Sequence, residues 1–81
     1  MSMTYEEVMA QQRAADERFM RGLDARMRRD NELIRSDVTV TRAYEAGVPV
    51  SAEWVAYRQA LRDIPQQPGF PDNIQWPTKP E

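Results

Sequence analysis

The chain predicts a mainly α-helical fold: a long N-terminal amphipathic helix, one or two short helices, and an extended, proline-rich C-terminal tail. Three observations carry that expectation. Apolar residues recur at three-to-four spacing through the first 35 positions, polar capping residues mark later starts, and prolines crowd the last stretch. Apolar spacing of this kind places one greasy stripe along a helix.

The first helix is expected to run from Thr4 to about Arg35. Thr4 with Glu7 three residues on fits a capping box, in which the hydroxyl accepts from a free amide. On a helical projection Tyr5, Val8, Met9, Phe19, Met20, Leu23, Met27 and Ile34 gather on one side. Glu6, Arg13, Glu17, Arg21, Asp24, Arg28, Glu32 and Arg35 gather on the other and alternate in sign. Glu17 with Arg21, and Asp24 with Arg28, are i,i+4 pairs in the favourable orientation, each contributing about 0.3 kcal/mol. That face reads as solvated, its arginines needing no ligand. Gln12, Asp16, Arg26 and Asp30 interrupt the apolar side, and Gly22 costs about 1 kcal/mol relative to alanine in a helix interior. Such a helix is longer than the remaining residues can cover. It either pairs with another helix, through Phe19, Leu23 and Met27 as self-association residues in a coiled-coil-like seam, or stands as a frayed or solvent-exposed arm.

Ser36-Asp37 reads as a break and a new N-cap. A short helix from Val38 to Ala46 would follow, stopped by Gly47 as a left-handed residue with Pro49 just beyond. The β-branched run Val38-Thr39-Val40-Thr41 favours a strand instead, but no partner strand is evident in the chain. Ser51 then caps a helix carrying Trp54, Tyr57 or Arg58, Leu61 and Ile64 on one face, with Val50 and Val55 at staple spacing. Pro65 is expected to end it. Pro65, Pro68, Pro71, Pro77 and Pro80 fall between residues 65 and 81, which favours extended or polyproline backbone. Phe70, Ile74 and Trp76 are the large apolar groups of that tail, and a disordered linker has little reason to carry them.

Composition narrows the function. At 81 residues the chain makes at most one small domain, and it holds neither cysteine nor histidine. Disulfides, thiolate chemistry and the commonest zinc, triad and neutral-pH acid/base designs therefore lose their usual residues. Eleven basic residues against thirteen acidic give a net charge of -2 and a pI near 5.1, no electrostatic footprint for nucleic acid. The run Arg26-Met27-Arg28-Arg29 is flanked by Asp24, Asp30 and Glu32 and has no interleaved aromatic to stack bases. The carboxylate pairs Glu6-Glu7 and Asp16-Glu17 sit on an exposed helix where nothing would seat a metal. No catalytic residue, cofactor or metal site is expected. No apolar run approaches the roughly 20 residues that span a bilayer, and the acidic start is unlike a secretory signal. A soluble protein of a reducing cytoplasm is the expectation.

From about Arg28 onward the residues Asn31, Leu33-Ile34, Ser36-Asp37, Trp54, the run Tyr57 to Asp63, Gly69-Phe70-Pro71 and Trp76-Pro77 follow one pattern. In these the chain resembles the phage tail assembly chaperone domain, across about two-thirds of its length. Tyr57-Arg58-Gln59-Ala60-Leu61-Arg62-Asp63 with the later Phe-Pro and Trp-Pro is the specific part. The family usually has an aromatic after Ser-Asp, where this chain has Val38, so that packing is reduced or supplied by Tyr44. Residues 1-27 have no counterpart, 28-64 form the chaperone-like helical module, and 65-81 form a docking tail.

The resemblance implies assembly of a phage tail or tail fibre by binding a structural tail protein in the host cytoplasm, without catalysis. It transfers no catalytic residue. The alternative is a permanent virion component, a small adaptor or collar subunit of the tail. Trp54, Tyr57, Arg58, Arg62, Phe70, Ile74 and Trp76 are the partner-binding candidates. For Trp54, Tyr57 and Leu61 an internal core against Leu33-Ile34 competes with direct partner contact, and Trp76 could fold back onto the Trp54 helix or enter a partner's groove. Arg58 and Arg62 form a like-charge i,i+4 pair that Asp37 or Asp63 would neutralise.

Overall fold

The computed structural model describes residues 2–81. A single helix, α1, runs from Tyr5 to Ala46, 42 residues, and is about 63 Å long at 1.5 Å per residue. A second helix, α2, spans Ala52–Arg62 and is followed by a single 3-10 turn at Ile64–Gln66. The molecule is a rod of 66 × 18 × 17 Å. No strand occurs among the described residues.

Local chemistry sets the ends. The Thr4 hydroxyl accepts from the Glu7 amide at 3.1 Å, satisfying one free donor of the first turn. At the other end Gly47 takes φ 69°, and the amides of Gly47 and Val48 reach back to Tyr44 and Ala43. Positive φ is costly for a residue with a Cβ, so glycine terminates α1 and Pro49 directs the chain away. The Ser51 hydroxyl then accepts from the Trp54 amide at 3.3 Å, opening α2.

The expected break at Ser36-Asp37 is absent: α1 continues through it, and the proposed short helix from Val38 is its last part. The reason lies in side-chain partners. Ser36 is buried and donates to the Leu33 carbonyl at 2.8 Å, one turn back along the same helix. Its oxygen also accepts from Arg58 of α2. A serine satisfied in this way has no need to cap a new helix. Asp37, the other capping candidate, pairs with Arg58 at 2.9 Å. The end of α2 also differs from expectation: it stops at Arg62, with Asp63 as C-cap, and Pro65 lies inside the 3-10 turn.

α2 folds back along α1, and the segment after it continues toward the N-terminus of α1 as far as Asp72, beside Arg18 and Arg21, before returning past Arg28 at Trp76 to α2. The core is small. Tyr57, Leu61 and Ile64 are buried, and Leu33, Trp54, Phe70, Ile74 and Trp76 pack around them. Ile34, the other residue of the expected core turn, is 64% exposed. The segment after the 3-10 turn bends through residues 68–72, then runs without regular secondary structure from Ile74. Gln67 clips it by a pair of bonds, donating to the Gln75 carbonyl at 2.9 Å and accepting from the Gln75 amide at 2.8 Å.

Candidate partner-binding surfaces

Two faces of α1 have different fates. Gly22, Ala25 and Ser36 are buried and Leu33 is half-buried, so this side meets α2 and the C-terminal segment. At about 100° per residue, the apolar stripe of Tyr5, Met9, Phe19, Leu23, Met27 and Ile34 lies about 130° around the helix from that side. Phe19, Leu23 and Met27, the expected self-association residues, are 68%, 40% and 57% exposed. The hairpin is thus built on the small-residue side of α1, and the greasier side faces solvent.

The arginines of α1 hold the C-terminal segment. Asp72 accepts from Arg21 at 2.7 Å and pairs with Arg18 at 3.5 Å. Arg26 lies over the Phe70 ring at 5.1 Å, and Arg28 lies over the Trp76 ring at 3.9 Å. Guanidinium groups are drawn to the negative faces of aromatic rings, and each such contact is worth about 0.5–2 kcal/mol. The expected charged face is exposed apart from half-buried Glu32, but the pairing of Arg21 and Arg28 along the helix is corrected: both turn to residues more than 45 positions away. An exposed i,i+4 pair contributes only a few tenths of a kcal/mol, so a ring or a fork-like carboxylate contact readily competes.

The seven partner-binding candidates fall into three situations. Tyr57 is buried in the core, 6% exposed, with its hydroxyl donating to Glu32 at 3.3 Å. Its ionisation is pushed above the ordinary value of 10.0, first by burial and then by the charge and hydrogen bond of Glu32, with Arg28 opposing. Trp54, Arg58, Phe70, Ile74 and Trp76 are half-buried. Trp54 meets Tyr57 edge to face at 5.7 Å, a geometry that ring quadrupoles favour. Arg62 is exposed.

Of the two proposed neutralising carboxylates, Asp37 pairs with Arg58, while Asp63 accepts from Gln59 at 3.0 Å. Arg58 also donates to the Leu33 carbonyl at 3.0 Å, so its guanidinium joins α2 to α1 at a single point. Tyr44 does not replace the missing ring after Ser36-Asp37, because it is 85% exposed, and Val38 is 52% exposed.

Three features escaped sequence reasoning: the seat for Phe70 on Gly22, the role of Asp72, and the groove where α2 meets the last residues. That groove is lined by Glu53, Ala56, Tyr57 and Ala60 on one side and Pro77 to Glu81 on the other. The glycine alone left a signal, as an interior helix residue with no cap to form. Among the described residues no cluster of acidic side chains is arranged to hold a metal ion. Among the same residues no helix is long and apolar enough to cross a membrane.

A family model described as phage tail assembly chaperone protein matches residues 23–81. The match takes in α2, the C-terminal segment and α1 from Leu23 onward, and leaves outside the N-terminal turns of α1 together with Arg18, Arg21 and Gly22, which meet Asp72 and Phe70. No curated protein and no solved structure matches the chain.

Proposed function

Because this chain belongs to the phage tail assembly chaperone family, we propose that it acts by binding a structural tail or tail-fibre protein during assembly in the host cytoplasm. No chemical step is required of it. Binding covers apolar surface on the immature partner until trimerisation or attachment buries that surface permanently. The contact is made by the face of α2 and the C-terminal segment, where Trp54, Arg58, Phe70, Ile74 and Trp76 are half-buried and Arg62 is exposed. Tyr57 supports that face from beneath.

One observation carries this reading. The residues that match the family, 23–81, are those that build the hairpin and its aromatic cluster. Aromatic and arginine side chains that keep part of their surface free are the types that dominate binding energy at protein interfaces. Co-expression with the tail or tail-fibre polypeptide encoded beside it tests the proposal. The partner's soluble yield rises and the two co-purify; Arg62→Glu reduces recovery of the complex while the isolated fold is kept. Unchanged solubility with no complex on size exclusion defeats it. Mass spectrometry of purified particles separates a chaperone, which is missing from them, from a permanent tail subunit, which is present at fixed copy number.

A further inference from the structure

The uncovered stripe of α1 runs from Tyr5 to Val38, about 50 Å at 1.5 Å per residue, and is one helix wide. We propose that it is covered by the same stripe of a second copy of this chain, in an antiparallel pair of α1 helices centred between Met20 and Leu23. A surface this long and narrow is matched by another helix of equal length. Its area fits as well: nine large apolar side chains, 36% to 78% exposed, offer on the order of 800 Å² or more per copy, what one partner contributes to a stable interface.

Charge decides the direction. Asp16 and Asp30 lie on the stripe. A parallel, in-register pair sets each against its own copy, and like charges facing across a closing seam are costly. Reversing one helix about the midpoint of the stripe brings Asp16 to the height of Met27 and Asp30 to the height of Arg13. The same reversal serves the N-terminal arm. Residues 5–14 are all exposed and extend beyond everything α2 and the C-terminal segment reach. In the antiparallel pair each arm lies along residues 29–38 of the other copy, where Ile34 and Val38 are 64% and 52% exposed. The faces that carry α2 point away from the seam in both copies.

The full-length chain tests this directly, because it holds no cysteine and accepts a single spin label. Analytical ultracentrifugation gives a dimer. With Ala10→Cys labelled, an exposed position off the stripe, pulsed electron resonance gives a separation of about 40 Å, whereas a parallel pair gives roughly 20 Å. Leu23→Asp raises the dimer dissociation constant about a hundredfold or more by placing a charge in the seam, and unchanged tryptophan fluorescence shows that its hairpin is kept. Met27→Glu does the same independently. A monomer at high concentration, a short label distance, a dimer indifferent to both substitutions, or a stripe protected from amide exchange only by a tail protein overturns the proposal. None of these results bears on binding through the α2 face, so the two readings fail separately.

Discussion

The Phe70 ring stands over Gly22 of α1, so that a Cβ built on the glycine lies 3.6 Å from both Cε1 and Cζ. That is ordinary van der Waals contact, and Arg26 Nη1 is a similar 3.5 Å away. Gly22→Ala therefore fits without moving the ring and removes the entropy that glycine loses in a helix. It should stabilise the protein by up to about 1 kcal/mol. Gly22→Leu has no such room, lifts Phe70 from the helix, and costs about 1–3 kcal/mol. Thermal melts of the two variants check this, and a lower melting temperature for the alanine variant contradicts it.

Arg58 is the polar joint of the hairpin. Its guanidinium meets the Ser36 hydroxyl, the Leu33 carbonyl and the Asp37 carboxylate. Asp37 is 59% exposed, so the ion pair itself is worth little, and Asp37→Asn should cost less than about 1 kcal/mol. Arg58→Ala removes charged hydrogen bonds from a side chain only 15% exposed and should cost about 2 kcal/mol. Arg58→Lys keeps the charge but not the fork, and falls between them. Chemical denaturation of the three variants gives the order, and equal losses for Asp37→Asn and Arg58→Ala would sink it.

Trp76 packs against the Tyr57, Leu61 and Ile64 cluster with Arg28 above its ring. Trp76→Ala should destabilise the isolated protein by about 2–3 kcal/mol, less than a fully buried ring because it is half-exposed. Arg28→Ala should cost about 0.5–1 kcal/mol. In a Trp54→Phe background the Trp76 emission is blue-shifted relative to free indole. A water-like spectrum would place the ring off the protein.

Chemistry confined to one or two turns was legible in the sequence. The hydroxyls of Thr4 and Ser51 and the missing Cβ of Gly47 act on backbone groups within four residues, so their roles as caps follow from position alone. Ser36-Asp37 looked the same locally, but Arg58, more than 20 residues away, satisfies both side chains and keeps α1 whole. The arginines failed for a related reason: helix spacing offers each a nearby carboxylate, and only the fold brings Asp72, Phe70 and Trp76 within reach. The stripe itself was readable as periodicity. Which side of α1 would receive α2 was not, because small residues at Gly22, Ala25 and Ser36 permit close approach without contributing to an apolar pattern.

Tyr57 adds a dependence on alkaline pH. Burial, then the charge of Glu32 and the hydrogen bond to it, hold its ionisation above the ordinary 10.0. Below pH 10 the hydroxyl keeps its proton in both the folded and unfolded chain, so stability does not vary on its account. Above that point the unfolded tyrosine ionises first, the unfolded state binds fewer protons, and stability falls as the pH climbs through the folded value. Tyr57→Phe cannot ionise and removes this part of the decline. At neutral pH the same change loses a long hydrogen bond of 3.3 Å to Glu32 and should cost only about 0.5–1 kcal/mol. The two stability curves therefore converge above pH 10 after running parallel below it. Denaturation midpoints from pH 7 to 11 provide the measurement, and curves that stay parallel throughout would mean that Tyr57 is not held as the fold places it.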